Sequence, residues 1–316
     1  MSPDFERFAL PFEEPLVRLE KKLEGLGGSA SKDQKRRLEE KVKELERKIY
    51  KDISPWEEVQ LARHPLRPTT KDYIDLMCDE FEELHGDRNF MDDKAIIGGI
   101  AKMGERSLFL IGHEKGRTTK QKIERNFGMA SPEGFRKSLR LMRMAEKFSL
   151  PIVLFVDTPG AYPGVGAEER GQPQAIAENL KSFFDIETPI LVLIIGEGGS
   201  GGALALAVGD RVYMMEHAVY SVISPEGCAA ILWKSKEKAP QAAESLRLTS
   251  KDCLEFGVID GIIEEVSGAA HRNPQGNADK LKGLILKEIG ELELMTPEEL
   301  LAAREKKYIG MGIFKA

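Results

Sequence analysis

Three cysteines in 316 residues, Cys78, Cys228 and Cys253, are too few and too scattered for a structural cysteine framework. An odd number excludes full disulfide pairing, and without a C-x-x-C pair there is no ordinary zinc knuckle. A long apolar run is also missing. The longest apolar zone, 189–209, is broken by Glu197 and by glycines at 196, 198, 199, 201 and 202, which argues against a membrane span. Nor is there an excess of positive charge. With 46 Lys+Arg against 52 Asp+Glu, the net charge is −6, so the molecule is not built to coat nucleic acid. The opening Met-Ser-Pro-Asp-Phe-Glu-Arg is acidic where a secretion signal needs a basic end and an apolar stretch. The expectation is a cytoplasmic protein of a reducing compartment.

What is present points to a globular chain. Hydrophobic residues make up 41%, enough for a sizeable core. Charged residues reach 31%, above the ~25% of an ordinary domain, which suggests long solvated helices. Near the start, Leu16, Leu19, Leu23 and Leu26 step by 3, 4 and 3, and Leu38, Val42, Leu45 and Ile49 step by 4, 3 and 4. Each set falls on one face of a helix. Gly-Leu-Gly-Gly-Ser-Ala-Ser at 25–31 separates them as a flexible breaker. The reading is an antiparallel helical hairpin occupying an arm at 1–60, which either packs on its own body or binds a partner.

Beyond residue 60 the pattern changes, and 61–316 reads as one α/β body with C-terminal helices. Short apolar runs at 95–100, 108–112, 152–156, 190–195, 212–215 and 218–223 have the length and β-branching of buried strands. Helix-period segments at 132–148, 174–184 and 201–208 lie between them, so helix and strand alternate in layers. Two strand-to-glycine-turn units, 152–160 and 190–198, resemble each other at an offset of 38 residues.

The most informative stretch is Gly196-Glu197-Gly198-Gly199-Ser200-Gly201-Gly202-Ala203. A buried strand ends there, the backbone turns, and an Ala-rich helix begins. The first N–H groups of a helix lack internal partners and carry the positive end of its dipole. Glycine lets a ligand oxygen approach them closely. Two such donors can hold a developing oxyanion, although close helix–strand packing also favours glycine and alanine. The same residues fit G-x-S-x-G, the nucleophile elbow of serine hydrolases, with His217, His271, Asp210 and Asp260 available downstream. With five histidines in the chain, a chance match is easy. A second turn, Asp157-Thr158-Pro159-Gly160-Ala161-Tyr162-Pro163-Gly164, has the same place after its strand and suits a fixed loop lining a pocket. Neither turn is a P-loop or a dinucleotide fingerprint.

Charge is uneven. Residues 113–147 hold ten basic and four acidic side chains, +6 locally, which leaves −12 for the remainder. At ~100° per residue, Arg136, Arg140, Arg143 and Lys147 form one narrow basic stripe on a helix whose remaining circumference is in large part apolar. Such a stripe is either a solvated face or a site for a phosphate-bearing ligand or acidic partner. No aromatics interleave it as RNA stacking would require.

Taken together these residues are recognisable. The chain resembles the carboxyltransferase α subunits of bacterial-type acetyl-CoA carboxylase, densely over about residues 60–275. The likeness runs through Leu-Ala-Arg-His-Pro at 61–65, Glu-Leu-His-Gly-Asp-Arg at 83–88, Gly-His-Glu-Lys-Gly-Arg at 112–117 and Asn-Phe-Gly-Met at 126–129. It continues through 157–171, 196–207, Ser-Val-Ile-Ser-Pro-Glu-Gly-Cys at 221–228, Ile-Leu-Trp-Lys-Ser at 231–235 and Gly-Ala-Ala-His-Arg-Asn-Pro at 268–274.

The resemblance implies a crotonase-like spiral of strand–strand–helix turns. It implies transfer of a carboxyl group from carboxybiotin, tethered to a biotin carboxyl carrier protein, onto acetyl-CoA to give malonyl-CoA for fatty acid synthesis. By position, the donors to the biotin ureido oxygen would be the amides of Gly201 and Gly202. Gly112, His113, Gly160, Ala161, Tyr162, Pro163, Gly164, Gly199 and Ser200 would lie around the substrate; no family motif marks a phosphate contact, and it is the basic stripe, by its charge alone, that sets Arg140 against CoA. The biotin nitrogen can serve as base, so Ser200 would be a turn residue. Donors for the acetyl-CoA enolate, and a zinc ribbon, would belong to a β subunit, in an α2β2 assembly that works with biotin carboxylase; no metal is expected in this chain. Gly201→Val and Gly202→Val are expected to abolish transfer while leaving folding largely intact.

Overall fold

The computed structural model describes residues 3–26 and 31–312. One sheet organises the chain: β1 (Glu80–Glu83), β2 (Ile96–Met103), β3 (Arg106–His113), β4 (Ile152–Thr158), β5 (Ile190–Gly199), β6 (Arg211–Met215), β7 (Val219–Ser221) and β8 (Gly261–Ile263). Their order is β1-β2-β3-β4-β5-β6-β8, with β7 paired to the far end of β5. β1, β2 and β3 run antiparallel, and every later pairing is parallel. All residues of β4 are buried, and β5 is buried up to Gly198, as expected for central parallel strands covered by helices.

The six apolar runs all become strands. The structure adds two, one without an apolar signature and one too short to show as a run. β1, Glu-Phe-Glu-Glu, is an edge strand whose charges protect an open edge, and β8 has three residues. Helix Pro132–Lys147 packs on β2 and β3, and helix Gln172–Ser182 packs on it and on helix Ser200–Leu204. The helix read over 201–208 stops at Leu204. Gly209 then passes so close to the Ile190 carbonyl that a Cβ would sit 2.8 Å from its oxygen, and the chain must turn first.

The two heptad segments are helices Glu14–Glu24 and Lys32–Lys51. Leu16, at the start of the first, packs with Tyr50, Ile49 and Leu45 at the end of the second, so the pair is antiparallel. The expected breaker falls partly at 27–30, outside the described residues. The seam also contains Leu61 and Ala269, so the arm packs on the body. Glu13 lies beneath it, accepting from Tyr50 Oη and facing His271 Nε2 at 3.0 Å.

Candidate functional site

The site grows from the ends of β4 and β5. Their register follows the 38-residue offset seen in sequence, Ile152 facing Ile190 through Val156 facing Ile194. It then jumps, and Thr158 faces Gly198. Asp157 alone on β4 therefore opposes three residues of β5, Ile195, Gly196 and Glu197. This is a bulge, and it kinks the strand end. Gly199 then lies against the Pro159 carbonyl. Ser200 takes a left-handed conformation (φ 53°), a strained choice for a non-glycine residue and one that reverses the chain into helix Ser200–Leu204.

Gly201 and Gly202 open that helix. A Cβ on Gly202 would run into the main chain of Gly160 and Ala161, so the two glycine turns touch through backbone alone. A Cβ on Gly201 would have Ile176 Cδ1 as its nearest neighbour, at 3.8 Å. Among the described residues, neither amide donates to a protein acceptor, the normal state of a first helical turn.

Two grooves meet at this point. One, of about 670 Å3, is lined by Gly160, Ala161, Tyr162, Pro163, Ile176 and Gly201. The other, of about 460 Å3 and mostly apolar, is lined by Gly201, Leu204, Tyr220, Val222 and Phe256. Ser200, Gly201 and Val222 belong to both. The loop wall of the larger groove is fixed from behind. Tyr162 N–H donates to Ala130 O at 2.9 Å, and Gln172 Nε2 donates to Ala130 O and Tyr162 O at 2.9 and 3.0 Å.

The structure thus brings Gly160, Ala161, Tyr162, Pro163, Ser200 and Gly201 together. Gly202 supports them from beneath, Gly199 lines a narrow adjoining cleft, and Gly164 lies against the Tyr162 ring. Three expected substrate contacts are not brought there. Gly112 is buried in β3, where a Cβ would strike Phe155 and Thr70. His113 is fully buried against the main chain of Phe155 and Gly202, beneath the turn and outside both grooves. Burial, aided by the nearby Lys115 charge, pushes its pKa down to about 3, so the ring is a neutral packing element. Arg140 donates to Gly86 O at 3.0 Å and His85 O at 3.2 Å, holding the loop after β1. Its stripe neighbours are likewise engaged: Arg136 with Asp87 and Glu133, and Arg143 with Glu146. Ser200 has no histidine or carboxylate partner among the described residues. His217 is committed to Glu58 at 2.8 Å and His271 to Glu13, so no hydrolase triad assembles.

Sequence reasoning passed over a charged cluster behind the bulge. Lys115 Nζ lies 2.6 Å from Asp157 Oδ1 and 2.7 Å from Glu197 Oε2. Arg63 Nε reaches Glu197 Oε1 at 2.6 Å, and its Nη1 reaches Glu226 at 2.5 Å. Burial alone would raise the Glu197 pKa, but Lys115 and Arg63 outweigh it and hold the carboxyl at about 2. Burial likewise opposes the Lys115 charge, and the two carboxylates raise its pKa above the ordinary lysine value. The signal was a glutamate inside an otherwise apolar strand, since a buried charge requires a partner.

Glu13, His64 and His271 are the described residues whose donor atoms come close enough to suggest a metal-ligand set. Both His64 nitrogens are engaged, however, Nε2 with Phe8 O at 2.9 Å and Nδ1 with Leu66 N–H at 3.2 Å. No helix among the described residues is long and apolar enough to cross a membrane.

Comparison with known proteins gives a consistent picture. A family model described as acetyl co-enzyme A carboxylase carboxyltransferase-like matches residues 9–312. The chain is 53% identical, over 96% of its length and 98% of the relative's, to the acetyl-coenzyme A carboxylase carboxyl transferase subunit alpha of Klebsiella pneumoniae strain 342. It is 52% identical over the same shares to the protein of that name from Cronobacter sakazakii. Among solved structures, it is similar in fold to transcarboxylase 12S (TM-score 0.54, 18% identity, 67% of this chain and 41% of that one). The β subunit of Pseudomonas aeruginosa geranyl-CoA carboxylase is also similar (TM-score 0.54, 16% identity, 79% and 45%).

Proposed function

The chain belongs to the acetyl-CoA carboxylase carboxyltransferase-like family, and from that premise we infer that it is the α subunit of an acetyl-CoA carboxylase carboxyltransferase. It is a transferase, acting with a β subunit to move a carboxyl group onto acetyl-CoA and give malonyl-CoA. Its partners, on this reading, are the β subunit in an α2β2 assembly, the biotin carboxyl carrier protein and biotin carboxylase, and it works in the cytoplasm.

Biotin on the carrier supplies the activated carboxyl group and a ureido oxygen on which negative charge develops. The chain fits such a group. The larger groove has the volume of a small-molecule site, and its floor presents amides without a protein acceptor where a side chain on Gly201 would intrude. Gly201 and Gly202 direct two main-chain donors, backed by the helix dipole, at that oxygen. Gly160, Ala161, Tyr162 and Pro163 form the opposite wall and orient the ring. Because the donors are part of the fold, no reorganisation is needed as charge develops, and donors of this kind are each worth roughly 10²–10³ in rate. The chain itself needs no general base, and Ser200 serves the turn.

The unpaired amide of Gly201 at the junction of two grooves, with the unpaired Gly202 amide next to it in the chain, carries this reading. The test mixes the chain with its β subunit, biotinylated carrier preloaded with carboxyl, and acetyl-CoA. Malonyl-CoA is expected from the mixture and not from either subunit alone. A mixture that forms a complex but gives no malonyl-CoA would overturn the assignment.

A further inference from the structure

A bulge in a buried ladder leaves main-chain groups without sheet partners, and such groups must be satisfied some other way. At the β4–β5 bulge the groups are the Ile195 carbonyl and the Glu197 amide. The carbonyl accepts from Arg67 Nε at 2.7 Å, and the amide donates to Asp157 Oδ1 at 2.9 Å. Each of these side chains is then held by an ion. Arg67 is gripped by both oxygens of the buried Glu265, at 3.1 and 2.5 Å. Asp157 and Glu197 share Lys115, and Arg63 ties Glu197 to Glu226 at the start of helix Pro225–Trp233.

The bulge fixes where the next turn begins. It advances β5 by two residues relative to β4, a displacement of about 6–7 Å along the strand. Four residues after Glu197 the chain reaches Gly201. The advance therefore sets whether the Gly201 and Gly202 amides come against the Gly160–Ala161 turn or miss it.

We propose that Lys115, clamped between Asp157 and Glu197 and braced through Arg63, is a positioning residue for carboxyl transfer. It holds the β4–β5 bulge in the one register that brings Gly201 to the groove and seats Gly202 on the Gly160–Ala161 turn. The proposal rests on the carboxyltransferase reading above. Lys115 acts through main chain and touches no substrate. Removing its charge leaves two carboxylates side by side behind the bulge, and their repulsion opens it. A misplacement near 1 Å at a reacting centre costs on the order of 100-fold in rate.

The experiment uses the assembled αβ complex carrying Lys115→Met, with Arg63→Lys and Arg63→Met alongside. Arg63 is nearly one-third exposed, so its variants carry the test should Lys115→Met fail to assemble. Turnover and KM for acetyl-CoA are measured at saturating carboxylated carrier, with hydrogen exchange of the 196–205 amides in parallel. The expected result for Lys115→Met is a kcat loss of about 100-fold, a KM within about twofold, and faster exchange confined to 196–205. Arg63→Met should lose kcat in the same pattern, and Arg63→Lys should recover most of it. A kcat within about threefold of wild type in the assembled variants, or a raised KM with unchanged kcat, overturns the proposal. Exchange at 196–205 that matches wild type also overturns it, whatever the rates. A wild-type complex that makes no malonyl-CoA while the variants still loosen 196–205 refutes the carboxyltransferase reading and leaves the bracing role standing.

Discussion

Gly201 and Gly202 lack side chains for different reasons, and the difference can be measured. At Gly201 the space is open, so valine there should leave the melting temperature close to wild type while cutting transfer by about 100-fold or more. At Gly202 the Gly160–Ala161 main chain fills the space, so even alanine must push two turns apart, at about 1–3 kcal/mol of stability along with activity. Thermal unfolding run beside the transfer assay separates the two. The sequence expectation that both valines spare the fold is therefore kept as a prediction at Gly201, where space is open, and revised at Gly202. The glycines themselves were legible, because four of them around a serine at a strand end mark either an anion site or a close backbone approach, and the fold uses them for close approach at Gly199 and Gly202. The pressure of one turn on the other was not, since it joins positions about 40 residues apart. Lys115 was equally hidden, being one of ten basic residues in its segment until the fold set it against Glu197.

At the scale of elements, apolar strands and the 38-residue echo were readable because parallel central strands are buried on both faces. The echo proved literal, with each residue of one copy paired in register to its counterpart until the bulge intervenes. What misled was charge. The basic stripe on helix Pro132–Lys147 reads as a phosphate site only while its partners are unknown. In the fold, Arg140 caps the carbonyls of His85 and Gly86, and Arg136 holds Asp87, so two of the four stripe residues staple the loop after β1. Arg140→Ala should accordingly cost about 1–2 kcal/mol in denaturant unfolding and leave KM for acetyl-CoA unchanged at both low and high salt. A salt-dependent rise in KM would return the stripe to the substrate.

Across the whole molecule, the arm and the body are joined by buried polar groups as well as by the Leu16 seam. His64 donates from Nε2 to Phe8 O and accepts at Nδ1, an arrangement open only to the neutral ring. Burial, with a further push from His271, holds its pKa down at about 4. The undocked imidazole titrates near 6.5, so the undocked form binds more protons between those values. Docking is then fully favourable above about pH 6.5 and weakens as pH falls toward 4. Between pH 7 and pH 5 the loss is about 2 kcal/mol, or roughly 30-fold in the docking equilibrium. Protection factors for the Phe5–Phe8 amides should drop by that factor, and His64→Gln should flatten the change. The same joint has a consequence for synthesis. Glu20 meets Arg272, 252 residues further on, so the arm is made well before the residue that holds it. At about 5–20 residues per second that delay is roughly 13–50 s on the ribosome. Through it, the two leucine-lined helices must shelter each other's greasy faces, which gives the hairpin a chaperone-like duty toward itself before it has any toward the enzyme.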